Sequence, residues 1–281
     1  EPLPREFFAQ GTPPPRLTLA RSKVEILREL GVDAIGLLRF DAAMAAMPAE
    51  TFVRRLLVHR LGAREVWIGP EFCFGNRRRG DLALLQEMGA ELGFTAGEIE
   101  AVDLHGERIS STRIRQLLQE GDFARANDLL GRPYAISGRV VRGRQLGRTL
   151  GFPTANLQPI PDRLYPKTGV YATRSWVPHP VRAYPSVTNI GYRPTFDGTE
   201  FRVESHLLDF PPEGEDGNLY EQRIAVEFVS RLRDETRFSD VEELCRQVQS
   251  DIGAARARLT GTAPAPEQAA LLRNLIRYLN R

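Results

Sequence analysis

Residues 131–141 read Gly-Arg-Pro-Tyr-Ala-Ile-Ser-Gly-Arg-Val-Val, and the pattern of the chain changes across them. Gly131 ends a helical pattern, Pro133 bars its continuation, and Tyr134–Val141 is strand-like. The strand-like segments Val170–Val177, Pro185–Ile190, Arg202–Phe210 and Arg223–Leu232 follow, separated by Gly and Pro clusters with no long helix between them. That spacing predicts an antiparallel sheet or small β-barrel. Ser239 with Glu242 three residues on reads as a capping box, opening a helix whose apolar stripe is Val241, Leu244, Cys245, Val248 and Ile252. This helix closes the domain. After a Thr260–Pro266 linker, Leu271, Leu272, Leu275, Ile276 and Leu279 mark an amphipathic helix that packs on the body or on a partner.

Upstream of the change, helical and strand patterns alternate. A helix over 21–30 ends at Gly31, and the mostly apolar run Ala34–Phe40 predicts a strand covered on both faces. Helix 49–61, strand Glu65–Gly69, helix 81–92 and a strand near Glu98–Leu104 follow, then helices Ser111–Glu120 and Phe123–Leu130. Such alternation predicts a parallel α/β sheet. The expected organisation is therefore an α/β domain over 1–131, a barrel domain over 132–259, and a linker with a C-terminal amphipathic helix over 260–281.

The whole-chain numbers agree with two domains. The 281 residues correspond to one large domain or two of roughly 150 residues, and 42% hydrophobic with 26% charged residues can bury a sizeable core. Lys and Arg number 38 against 36 Asp and Glu, which argues against a bulk nucleic-acid binder. No apolar run approaches the ~18 residues of a membrane span, the first residues hold no signal-peptide core, and two cysteines make no disulfide framework. The expected location is the cytoplasm.

The most informative chemistry lies in Gly143-Arg-Gln-Leu-Gly-Arg-Thr-Leu-Gly-Phe-Pro-Thr-Ala-Asn156. Gly143, Gly147 and Gly151 let the backbone approach an anion closely, and successive N–H groups can cradle phosphate oxygens. Arg142, Arg144 and Arg148 add charge, with no acidic residue between Ser137 and Gln158. Thr154 and Asn156 share a face if this piece is extended, and a hydroxyl beside an amide oxygen suits a hard cation such as Mg²⁺. No Gly-Lys-Ser/Thr follows, so this is not the usual P-loop. The same composition also fits a solvated Arg/Gly loop ending in a turn.

Gly147-Arg-Thr-Leu-Gly-Phe-Pro-Thr-Ala-Asn-Leu157 closely resembles the signature of riboflavin kinases, which phosphorylate riboflavin to FMN. The resemblance continues through Thr168-Gly-Val-Tyr171, Thr188-Asn-Ile-Gly191, Arg193-Pro-Thr-Phe196, Val203-Glu-Ser-His-Leu-Leu-Asp-Phe210 and Phe228-Val-Ser-Arg-Leu-Arg-Asp-Glu235. It implies a small antiparallel barrel with a C-terminal helix. It also implies ATP as co-substrate, held by the Gly143–Gly151 loop with Arg148, and Mg²⁺ with ATP held by Thr154 and Asn156. The family's general base falls on Glu204, which shares a strand face with Arg202 and His206. A bare Glu on an alternating strand is otherwise a surface residue, and His206 reads as structural or supporting.

The first half carries a separate signature. Ile109-Ser-Ser-Thr-Arg-Ile-Arg115 opens a helix, where free N–H groups favour an anion, although Ser110 or Ser111 also fits a simple N-cap. It resembles the nucleotidyltransferase motif that binds the ATP triphosphate, which implies that role for Ser110, Ser111, Thr112, Arg113 and Arg115. Gly69-Pro-Glu-Phe-Cys-Phe-Gly-Asn-Arg-Arg-Arg-Gly-Asp81 resembles a loop of FMN adenylyltransferases, with Arg77–Arg79 either facing phosphate or solvated. The halves together resemble the bacterial bifunctional riboflavin kinase/FMN adenylyltransferases. This implies a nucleotidyltransferase-like, Rossmann-like parallel sheet in the first domain and riboflavin, FMN and ATP as ligands, with neither nucleic acid nor membrane as partner. The four histidines His59, His105, His179 and His206 do not supply that family's opening Gly-x-Phe-Asp-Gly-x-His-x-Gly-His motif. The first domain is therefore expected to be N-terminally incomplete, a trimmed form of a longer protein, and to convert little FMN to FAD as written. The rival readings are a kinase-only protein, a non-catalytic flavin- or nucleotide-binding module, and a module holding single-stranded nucleic acid on its arginines.

Overall fold

The structure, a computed structural model, describes residues 2–143, 145–195, 198–211, 218–261 and 266–280. Glu1, Arg144, Phe196 and most of the expected linker lie outside the described residues. The chain forms two compact units, one of Glu1–Pro14 with Ala34–Ile109, the other of Pro15–Asp33 with Ser110–Arg281.

In the first unit, β1 (Glu65–Ile68) pairs in parallel with β2 (Thr95–Glu98). Between them runs the helix Leu82–Leu92, capped by Asp81, whose carboxylate accepts from the Leu84 N–H at 3.0 Å. Ala49, Val53, Ile68, Phe74, Leu85, Met88 and Phe94 form the core. Helix 49–61 exists, but Val53–Arg60 winds as a π-helix. Two strand expectations are corrected. Ala34–Phe40 has no ladder partner among the described residues and forms no strand, leaving Leu37 64% exposed. The strand expected near Glu98–Leu104 sits earlier, anchored by buried Phe94; Asp103–Leu104 (β3) instead turns back against Glu107–Arg108 (β4).

The second unit holds a closed six-strand barrel. Its strands are β5 (Ala135–Val141), β6 (Ala155–Leu157), β7 (Gly169–Pro178), β8 (Val181–Thr195), β9 (Gly198–Leu207) and β10 (Arg223–Arg233), arranged β10-β5-β6-β9-β8-β7 and closed by antiparallel pairing of β7 with β10. The interior is aromatic at one end. Phe228 and Tyr171 meet edge to face at 5.3 Å, and Phe123, from the helix Phe123–Leu130, stacks on Phe228 at 5.6 Å. That helix and its predecessor Ser111–Glu120 therefore cluster with the barrel rather than with the residues before them. Their ends are read well from sequence, with Ser110 and Asp122 as N-caps and Gly121 and Gly131 in the left-handed C-cap conformation.

The helix Val241–Leu259 closes the barrel, its Ala255 packing with Val170, Ala172 and Val187 on the outer wall. Its cap is Asp240, which accepts from the Glu243 N–H at 2.7 Å, and not Ser239; Glu243 reaches back to the Ser239 N–H at 2.8 Å. The C-terminal helix Pro266–Leu279 packs on this unit, its Leu272, Leu275, Ile276 and Leu279 gathering around Trp176 and Ala225. Phe123→Ala should destabilise the barrel unit by about 3–5 kcal/mol, read from its urea midpoint. A loss under about 1 kcal/mol, the scale of an ordinary surface change, would detach this helix from the barrel core.

Candidate active site

Strand pairing sets one row of side chains across the outer wall of the barrel. Asn156 lies opposite Glu204, Glu204 opposite Asn189, Asn189 opposite Val170, and Val170 opposite Arg233. All five line a cavity of about 290 Å³, to which the closing helix contributes Leu244, Val248 and Asp251. The row is a consequence of alternation. Ala155, Leu157, Val203 and Ser205 are buried, so their neighbours Asn156 and Glu204 turn outward.

Glu204 is half-buried, and one of its oxygens accepts from Arg202 Nη1 at 3.3 Å. Arg202 binds Glu200 more closely, at 2.6 Å. The hydrogen bond to Glu200, with Glu204 adding less, strengthens the guanidinium's hold on its proton. Glu204 thus shares its cation and takes no other hydrogen bond among the described residues. Its second oxygen is available to a ligand hydroxyl.

Thr154 and Asn156 both line this cavity, and the Asn156 Nδ2 lies 3.4 Å from the Thr154 carbonyl. The glycines of the preceding loop are explained by close approach. A Cβ on Gly143 would lie 2.8 Å from the Asn156 carboxamide, and one on Gly147 would lie 2.4 Å from the Phe152 carbonyl oxygen. Leu146–Thr149 is a single helical turn, and Gly151 follows it in open space with φ +86°. A second cavity of about 430 Å³ is lined by Val140, Arg148, Thr154, Ala155, Leu207 and Tyr220, among others. Arg142 stacks over the Tyr220 ring at 5.3 Å, and the Tyr220 hydroxyl lies 3.5 Å from Arg148 Nη2. Thr154 lines both cavities.

The structure thus gathers Gly147, Arg148, Thr154, Asn156 and Glu204 around two adjoining cavities, while Gly143 lies against the Asn156 carboxamide and Gly151 lines neither cavity. Ser110–Arg115 line neither. Ser110 Oγ accepts from the Arg113 N–H at 3.1 Å, Arg115 Nε donates to the Pro15 carbonyl at 2.8 Å, and Ser111 and Thr112 are exposed. Arg77–Arg79 are exposed around a 3-10 turn.

Sequence reasoning passed over Asn189, Arg233 and Asp251. Asp251, buried in the closing helix, receives Arg233 Nε at 3.0 Å and Nη2 at 2.8 Å in a two-pronged ion pair, and Gln247 at 2.9 Å. Asn189 and Arg233 do lie within stretches read as motif-like, and only the ladder register puts them in line with Glu204.

Two family models match the chain, FAD synthetase over residues 1–113 and Riboflavin kinase over residues 130–259. A curated bifunctional riboflavin kinase/FMN adenylyltransferase of Pseudomonas fluorescens is 43% identical over 258 residues, spanning 92% of this chain and 80% of the relative. The protein of the same name from Escherichia coli (strain K12) is 42% identical over 265 residues, spanning 94% and 82%. A Streptococcus pneumoniae crystal structure, described as a macrolide-efflux protein, is similar at TM-score 0.77 and 28% identity, over 90% of this chain and 80% of that one. No described helix here is long and apolar enough to cross a membrane.

Gly143→Ala should turn the Asn156 carboxamide out of the row while changing stability by less than about 1 kcal/mol, because a flexible side-chain end yields. A crystal structure of the variant with Asn156 unmoved would refute this.

Proposed function

Since the chain belongs to the bifunctional riboflavin kinase/FMN adenylyltransferase family, we propose that its kinase centre is the row carrying Asn156 and Glu204, with the two cavities that meet at Thr154. The chain is an enzyme of FAD biosynthesis, in which riboflavin is phosphorylated to FMN and FMN is adenylylated to FAD. The observation carrying the kinase assignment is the sharing of Thr154 between two cavities, which gives each of two substrates its own space and one meeting point. The kinase domain is taken as residues 132–259, followed by the segment 260–281.

Riboflavin occupies the cavity beside Glu204, where Leu244, Val248 and Val170 offer apolar surface to a flat ring. ATP occupies the second cavity, its phosphates directed to the Gly143–Gly151 loop and Arg148. Glu204 accepts the proton of the riboflavin 5′-hydroxyl as that oxygen attacks the γ-phosphorus. The bond to the β–γ bridging oxygen breaks, and FMN and ADP result. Little covalent help is needed, so alignment and charge neutralisation supply most of the rate. Thr154 Oγ1 and Asn156 Oδ1 are hard oxygens that fit Mg²⁺. These two residues would hold Mg²⁺ together with the nucleotide phosphates. When bound it neutralises charge on those phosphates.

For the adenylyl transfer, the Ser110–Arg115 helix start, with the Ser111 and Thr112 hydroxyls exposed, is the segment proposed to bind the triphosphate of ATP.

Glu204→Gln should lower kcat for riboflavin phosphorylation about 10²–10⁴-fold, the usual contribution of a general base. An unimpaired enzyme sinks the assignment. Thr154→Ala should raise the KM for Mg-ATP by roughly tenfold or more, the scale of a weakened metal site, and shift the Mg²⁺ titration. An unchanged metal dependence removes Thr154 from the metal site.

A further inference from the structure

His206 lies two residues beyond Glu204 on β9 and lines the same cavity. The ladder between β6 and β9 runs through Ala155 opposite Ser205, so its next step would set Thr154 opposite His206. The ladder stops there, because β6 begins at Ala155 and the residue before Thr154 is Pro153, which has no N–H to give. The imidazole fills the gap. Its Nδ1 stands 2.7 Å from the Pro153 carbonyl oxygen. A carbonyl only accepts, so Nδ1 carries the proton and donates. The ring also meets Phe152 edge to face at 5.9 Å, and the Phe152 N–H donates to the Gly147 carbonyl at 2.7 Å.

We propose that His206 is a positioning residue, a latch that fixes the peptide between Pro153 and Thr154 to the strand carrying Glu204. The Pro153 carbonyl belongs to the same peptide plane as the Thr154 nitrogen, so holding it orients the Thr154 backbone and, through χ1, its hydroxyl. Through Phe152 the latch extends to Gly147, and so to the turn that borders both cavities. His206 therefore couples the proton acceptor on β9 to the phosphate-facing loop. This rests on the kinase reading above and adds to it the element that keeps Thr154 in register with Glu204.

The test is steady-state riboflavin phosphorylation with Mg-ATP by wild type, His206→Ala, His206→Asn and His206→Gln. Loss of one hydrogen bond is worth up to roughly tenfold. His206→Ala should therefore raise the KM for ATP or lower kcat by about that factor. Asn can place its amide N–H near the Nδ1 position and should stay within about threefold of wild type, whereas Gln carries its amide one bond too far and should resemble Ala. Equal rates for Asn and Gln, or an unimpaired His206→Ala, overturn the latch. Asn and Gln preserve polarity and approximate size, so their comparison stands even where the Ala variant folds poorly. A wild-type chain that does not phosphorylate riboflavin would instead overturn the kinase reading itself.

Discussion

Five hydroxyl groups buried in the barrel interior hold the register on which everything else depends. Thr173 and Ser175 on β7, Ser186 and Thr188 on β8, and Ser205 on β9 are fully inaccessible and bond only across strands. Thr173 meets Thr188 at 2.7 Å and Ser186 at 2.8 Å, while Ser205 meets Ser175 and Thr188 at 2.9 Å each. Slipping one strand by a single residue would bring outward side chains in and leave several hydroxyls unsatisfied in an interior where each costs about 1–3 kcal/mol. The same slip would turn Glu204 and Asn189 inward, since each is the immediate neighbour of one of these hydroxyls. Site geometry and core satisfaction are therefore one constraint.

The charges around the row are arranged to leave one carboxylate oxygen open. Arg233 is committed to buried Asp251 through both Nε and Nη2, and Arg202 is drawn toward Glu200. Neither cation closes fully on Glu204. A carboxylate locked in a two-pronged Arg pair would be a poor proton acceptor, because the pair stabilises the charged form that proton uptake must discharge. Glu227 shows the contrast on another part of the wall. It is buried, and both its oxygens are occupied by Arg174 at 2.7 Å and Trp176 at 2.9 Å. Glu204 differs in having only one of its oxygens engaged, by Arg202.

Most of the barrel was legible because its strands obey period two and its helices announce their ends with Gly121, Gly131 and an acidic cap. β6 was not, since three residues between a Gly/Pro loop and a second Pro cluster carry too short an alternation to read. Thr154, Asn156 and Glu204 could be picked out from residue type and resemblance, but their mutual alignment could not, because it depends on which strands pair. Arg233 and Asp251 illustrate the same limit: eighteen positions separate them, and nothing local links a strand-terminal arginine to a helical aspartate. In the first unit Ala34–Phe40 has strand composition without strand structure. An extended apolar run becomes a strand only through a neighbour's N–H and C=O groups, and composition does not report the neighbour.

Placement of the proposed site on the outside of the barrel agrees with how the inside is filled. Phe123, Tyr171 and Phe228 occupy one end of the interior, and the hydroxyl mesh occupies the wall formed by β7, β8 and β9. The cavity proposed for riboflavin instead lies where the closing helix meets the wall, at one end through Ala255 against Val170 and Val187, with Leu244 and Val248 lining it. A ligand entering that space displaces solvent from a side-chain row already fixed by core contacts on the opposite face of the same strands. The segment before Thr154 is tied to the same strands through the contact of His206 with the Pro153 carbonyl, so alignment in the proposed site is built into the barrel wall.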